Sequence, residues 1–73
     1  MSQTKVLSEI NGSMWKVLVK EGDVVSEDDT LAVVESMKME IPVLAPMSGT
    51  VDKILVVEGQ VVIEGVPLML MSH

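Results

Sequence analysis

The sequence predicts an all-β fold, a sandwich or flattened barrel of two four-stranded antiparallel sheets. Three observations carry that prediction. The first is an internal repeat at an offset of 37 residues: Val6-Leu7 falls on Val43-Leu44, Gly12 on Gly49, Lys16 on Lys53, Leu18-Val19 on Leu55-Val56, Glu21-Gly22 on Glu58-Gly59, Val24-Val25 on Val61-Val62 and Leu31 on Leu68. The second is the wealth of β-branched residues over Met14 to Val19 and Val51 to Val56, with no helical periodicity. The third is the punctuation by Gly12, Gly22, Gly49 and Gly59, at spacings of ten residues or more.

Two copies make a pseudo-two-fold pair of halves, about 1–36 and 38–73, and not a solenoid, which needs three or more units. The first strand is predicted at 4–8 and the second at 12–19, joined by Asn11-Gly12, a hairpin-type turn signal because both residues tolerate positive φ. Glu21-Gly22-Asp23 marks a sharp corner before a short strand at 24–25, and 30–36 follows as the fourth strand. The second copy repeats the plan, with strands at 39–44, 49–56, 61–62 and 66–71, a turn at Ser48-Gly49 and a corner at Glu58-Gly59-Gln60. Pro42, Pro46 and Pro67 exclude helix at their positions and favour edge strands or strand ends. The sheets are built either one per half or by exchange between the halves.

Composition narrows the functions open to the chain. Seventy-three residues give one small domain, 1–73, with 48% hydrophobic residues, which excludes disorder. The absence of Cys removes disulfides and thiolate metal sites, and His73, the one histidine, cannot form a His cluster. Eleven acidic against five basic residues, a net charge of -6, disfavour nucleic acid. The apolar runs Ile54–Val57 and Val66–Met71 are too short to span a bilayer, and the start lacks the apolar region of a signal peptide, so a cytoplasmic location is expected. The aliphatic core implies a thin sandwich, with Met14, Met47, Met69 and Met71 filling gaps.

The anomaly lies where the copies meet, at Glu35-Ser36-Met37-Lys38-Met39-Glu40. If strand 30–36 pairs with 39–44, the connection is Met37-Lys38, a two-residue hairpin loop without the Asn, Asp or Gly that such loops prefer. Breaks in local chemistry tend to mark function. A lysine at a strand end also has an ordinary use as a solvated guard of an exposed edge, and Met37 and Met39 have an ordinary alternative in the core.

Glu35-Ser36-Met37-Lys38-Met39 closely resembles the attachment motif of biotinyl domains, Ala-Met-Lys-Met, whose lysine carries biotin. Ala45-Pro46-Met47-Ser48-Gly49-Thr50-Val51 resembles the proline-glycine turn that follows that motif, and Lys20–Val25 and Val57–Val62 resemble the family's paired corners. The resemblance covers roughly residues 4 to 71. Two departures stand out. Ser36 replaces the usual Ala or Val, both also small, and residues 20–24 leave no room for the protruding thumb of some bacterial carriers.

The resemblance implies a flattened barrel with quasi-two-fold symmetry and Lys38 at a hairpin tip between the two central strands. It implies no catalytic residues. It further implies covalent biotin on Lys38, joined by a biotin protein ligase that uses ATP, and transport of a carboxyl group from a biotin carboxylase to a carboxyltransferase. Glu35, Ser36, Met37, Met39 and Glu40 are the candidate ligase-recognition residues, and the domain is expected to be monomeric in isolation. The carboxyl acceptor stays open, as does the choice between a free-standing carrier and the end of a larger carboxylase chain. The alternatives are a lipoyl carrier on the same lysine, whose family usually shows Asp-Lys-Ala at the tip, and an unmodified hairpin-barrel interaction module.

Overall fold

Eight strands form in the computed structural model, which describes residues 2–73. They are β1 (Gln3–Leu7), β2 (Gly12–Val17), β3 (Val24–Val25), β4 (Thr30–Ser36), β5 (Met39–Leu44), β6 (Gly49–Ile54), β7 (Val61–Val62) and β8 (Pro67–Ser72). β3, β4, β5 and β7 lie where the sequence predicts them. β1 and β8 are displaced by one residue, and β2 and β6 stop two residues early. The early stops are symmetric. A register shift at Met14/Lys16 in β2, and one at Val51/Lys53 in β6, bends each strand toward a corner. Past the strand ends single bonds persist, Leu18 N–H to Leu31 O at 2.9 Å and Leu55 N–H to Leu68 O at 2.9 Å.

The two sheets have strand orders β1-β8-β6-β3 and β5-β4-β2-β7, with every adjacent pair antiparallel. Each takes two strands from each half, so exchange is the arrangement adopted. A shift of 37 residues carries one strand order onto the other, β1 onto β5, β2 onto β6, β3 onto β7 and β4 onto β8.

The corners bind the halves together in matching pairs. Gly22 N–H donates to Val51 O (2.7 Å) and Val51 N–H to Asp23 O (2.8 Å), while Gly59 N–H donates to Met14 O (2.6 Å) and Met14 N–H to Gln60 O (2.8 Å). The corner glutamates reach across as well: Ile54 N–H donates to Glu21 Oε2 and Val17 N–H to Glu58 Oε2, both at 3.0 Å. Gly22 and Gly59 have φ of 95° and 92°, the left-handed region glycine enters without steric cost.

Gly12 and Gly49 have a different purpose from the one their sequence context suggests. Neither has positive φ, and neither sits in a hairpin, because β1 and β2 belong to different sheets, as do β5 and β6. A Cβ on Gly12 would collide with the backbone carbonyl of Glu35, and one on Gly49 with that of Ser72. Close backbone approach, not turn geometry, requires glycine there.

Met14, Leu31, Val34, Val51, Val62, Leu68, Met69 and Met71 form the fully buried centre of the core, and Met47 is half-buried. Methionine alternates with smaller partners at equivalent positions: Met14 faces the role of Val51, Met69 that of Ala32, and Met71 that of Val34. Unequal side chains at equivalent sites let two near-identical halves interdigitate without aromatic bulk. The molecule is elongated, 36 × 18 × 17 Å.

Candidate functional site at the β4–β5 hairpin

β4 and β5 pair over six rungs, from Thr30 opposite Leu44 to Ser36 opposite Met39. Only Met37 and Lys38 remain to connect them, so the chain reverses in two residues. A two-residue reversal must match the right-handed strand twist, and the type I′ turn that does so has φ > 0 at both central positions. Met37 has φ 51° and Lys38 φ 65°. For residues with a Cβ, the left-handed conformation costs about 1–2 kcal/mol each. The Met-Lys turn is thus held in a disfavoured conformation by the ladder beneath it.

The structure corrects one expectation. β4 and β5 are central in the sequence, but β5 is an edge strand. The edge accommodates Pro42, which lacks an N–H and pairs with Val33 on one side only.

The six predicted site residues come together at this tip. Lys38 is exposed, Met37 is 92% exposed and Met39 63% exposed, so neither methionine enters the core. Glu35 and Glu40 are both exposed and stand directly opposite one another in the rung below Ser36–Met39. Like charges in that position oppose pairing, so the rung is not optimised for sheet stability. Ser36 is half-buried, and its hydroxyl donates to the carbonyl of Asn11 at 2.8 Å.

Asn11 is the residue the sequence reading undervalues. It appears there only as a turn former. In the fold its carbonyl receives Ser36, and its Oδ1 accepts Glu64 N–H at 2.8 Å, so it ties the hairpin base to the 63–66 turn.

A shallow recess beside the tip is lined by Glu9, Ile10, Asn11, Ser36, Met37 and Glu64. A larger groove of about 840 Å³ runs between β1 and β5, past Val6, Leu7, Ile41, Pro42 and Val43, and does not reach Lys38. The other lysines have different settings: Lys5, Lys16 and Lys53 lie within strands, and Lys20 opens a corner whose Asp23 carboxylate accepts its N–H at 2.8 Å. Lys16 Nζ lies 5.5 Å from the centre of the Trp15 ring. Among the described residues, no three His, Asp or Glu side chains gather to hold a metal ion, and no helix is long and apolar enough to cross a membrane.

The chain is thus a two-sheet barrel of exchanged halves with an exposed lysine on a two-residue hairpin tip. The chain belongs to the biotin/lipoyl family described as biotin-requiring enzyme, whose pattern it matches over residues 4–71. It is 58% identical over 38 residues to a biotinylated protein TB7.3 homolog of Mycolicibacterium smegmatis, covering 52% of this chain and 54% of that one. It is 49% identical over 35 residues to a biotin/lipoyl attachment protein of Bacillus subtilis, covering 48% of each. The matched segments thus span about half the length of these relatives. Among solved structures it superposes on the urea carboxylase of Kluyveromyces lactis with a TM-score of 0.92, at 33% identity over 99% of this chain and 6% of that one. A single-chain, multi-domain long-chain acyl-CoA carboxylase matches with a TM-score of 0.92 at 30% identity, over 97% of this chain and 7% of that one.

Proposed function

We propose that this domain is a biotin carboxyl carrier with Lys38 as its attachment residue. The observation that carries the proposal is the tip itself: an exposed lysine on a two-residue turn in left-handed conformation, flanked by two exposed methionines. Nothing in sheet stability calls for that combination.

The exposed Lys38 fits biotin attachment through an amide on Nζ, because no neighbouring wall has to open and the four-carbon stem adds reach. Attack on an activated acyl group needs the neutral amine, and the ligase site is where the base that generates it must stand. The domain supplies position. Glu35, Ser36, Met37, Met39 and Glu40 are the surface a biotin protein ligase reads, and the fixed turn aims Lys38 while Ser36 and Asn11 anchor the base. Once attached, biotin supplies a ureido nitrogen that takes up and releases a carboxyl group. The tether keeps that group at high effective concentration as the tip visits a biotin carboxylase and then a carboxyltransferase. The domain is monomeric in isolation and works in the cytoplasm, as a carrier with no catalytic residues of its own.

Methionines on both sides of Lys38 favour biotin over lipoate, whose carriers usually show Asp-Lys-Ala. The test is intact mass after incubation with biotin protein ligase, biotin and ATP. The native chain gains one biotinyl group and Lys38→Arg gains none. A lipoyl gain with a lipoate ligase, in place of the biotinyl gain, would keep the lysine and change the cofactor. No gain of either kind refutes the carrier reading.

A further inference from the structure

We infer that Met37 and Met39 form an oxidation-sensitive site that controls whether Lys38 can be modified, an inference that rests on the carrier reading above. The chain has no cysteine, so methionine sulfur is its first target for a two-electron oxidant. Its methionines divide sharply. Met14, Met69 and Met71 are 0% exposed, Met47 is half-buried, and Met37 and Met39 are 92% and 63% exposed. An oxidant meets the two tip thioethers in the native state and reaches the three buried ones only when the core opens.

The exposure has no packing justification. A methionine withdrawn from solvent fills a core gap, as Met14, Met69 and Met71 do, but at the tip two flexible apolar side chains stand in water on either side of the attachment lysine. Such side chains are useful where a partner covers them. The carrier reading makes that partner the ligase, which has to enclose Lys38. Oxidation removes the thioether's apolar character at the point of contact.

The step balances as follows. The methionine sulfur gives two electrons to the peroxide and takes one oxygen atom, the O–O bond breaks, and a sulfoxide and water result. A dithiol reductant reverses it through a methionine sulfoxide reductase, by removing the oxygen as water and forming a disulfide on the reductant. The sulfoxide is polar and has a new stereocentre, so an apolar pocket shaped for the thioether rejects it. The turn is unaffected, because φ of Met37 and Lys38 is set by the ladder and not by the side-chain terminus.

The test uses the chain treated with limiting hydrogen peroxide. Peptide mass mapping scores each methionine, and acceptance of biotin from ligase, biotin and ATP is timed before and after treatment. Oxygen is expected on Met37 and Met39 before Met14, Met69 or Met71, with acceptance slowed at least tenfold and restored by methionine sulfoxide reductases with dithiol. In the doubly substituted Met37→Leu, Met39→Leu chain, peroxide leaves the rate where it was before treatment, whatever that rate is. Full acceptance by a chain oxidised at both tip positions overturns the inference and leaves the carrier reading standing. Equal oxidation of buried and tip methionines in the folded chain overturns it as well. An untreated chain that accepts no biotin overturns the carrier reading and this inference together.

Discussion

The two halves differ most where their last rungs fall. In one sheet the final rung joins Ser36 to Met39, and Met37-Lys38 closes it as a hairpin. A shift of 37 residues turns that rung into His73 and Ser2 in the other sheet. That pair forms too, with His73 N–H to Ser2 O at 2.9 Å and Ser2 N–H to His73 O at 3.1 Å, although no hairpin joins the two residues. The ladder therefore completes its last rung without a closing turn. The disfavoured backbone of Met37 and Lys38 is therefore not what completes the rung, which fits the proposal that the turn serves to present the lysine. The rungs beneath repeat the lesson. Glu35 faces Glu40 in the tip-bearing sheet, and the equivalent pair is the neutral Ser72 and Gln3.

The largest expected effect breaks that comparison at the lysine. Lys38→Arg keeps the turn and the charge and removes the nucleophile, since guanidinium remains protonated under all ordinary conditions. Intact mass should show complete loss of biotin acceptance with an unchanged melting temperature. Acceptance on Lys5, Lys16, Lys20 or Lys53 in the variant would assign the selection to something other than the tip.

The next effect compares Gly12→Ala with Gly49→Ala. Each places a Cβ against a backbone carbonyl, of Glu35 in one sheet and of Ser72 in the other. Neither carbonyl can move without shifting a strand, so each variant should lose about 1–3 kcal/mol, the range for overpacking a well-fitted core. For a domain of this size each kcal/mol lowers the melting temperature by roughly 4–8 °C. The pair separates in function. Gly12→Ala pushes on the strand that carries the tip, so ligation of its folded fraction should slow several-fold, whereas folded Gly49→Ala should accept biotin at the native rate. Equal slowing in both would show that the tip responds to the whole barrel and not to its own sheet.

Much of this was legible in the sequence because the repeat is legible. Two copies of each corner gave two readings of the same turn, and glycine at Gly22 and Gly59 reports positive φ directly. Met37-Lys38 was legible for the opposite reason: it violates the turn chemistry that its two-residue length demands. What stayed hidden depends on distance in space. Gly12 and Gly49 resemble turn glycines until the packing of β4 and β8 shows which carbonyls exclude a side chain. The edge position of β5 follows from sheet order, which pairs strands far apart in sequence and leaves no local trace. The bracing by Asn11 needs Ser36 and Glu64, 25 and 53 residues away.

A smaller effect sharpens the contrast between the Glu35–Glu40 rung and its neutral equivalent. Glu40→Lys replaces a repulsive cross-strand pair by an attractive one, which should stabilise the domain by about 0.5 kcal/mol, within the range for such pairs. Thermal melts at low salt should show a rise that shrinks at high salt. The same variant should accept biotin more slowly if the ligase reads the two carboxylates. A melting temperature that rises while ligation slows would identify a rung held for recognition at the expense of stability. Native-rate ligation would remove Glu40 from the recognition surface.

The smallest effect tests whether disfavoured backbone elsewhere is also functional. Four turns frame the short strands, at residues 20–23, 26–29, 57–60 and 63–66, each closed by an N–H from its last residue to the carbonyl of its first, at 3.0 or 3.1 Å. Their third residues are Gly22, Asp28, Gly59 and Gly65, with φ of 95°, 71°, 92° and 89°. Asp28 alone among these carries a Cβ, so it is the one turn residue outside the tip in the left-handed region at a steric cost. Aspartate tolerates that region better than most residues, and glycine would give back part of the gain as unfolded-state entropy. Asp28→Gly should therefore stabilise by only about 0.5 kcal/mol, a rise of a few degrees in melting temperature, with ligation unchanged. The 26–29 turn already holds Ser26 N–H on the Asp29 carboxylate at 2.8 Å and Asp28 N–H on Ala45 O at 2.9 Å, so it does not need Asp28 for closure. If Asp28→Gly melts higher and is modified at the native rate, disfavoured backbone at Asp28 is a tolerated substitution in a repeated turn. Its counterpart at Met37 and Lys38 is then set apart by what the turn presents and not by its φ alone.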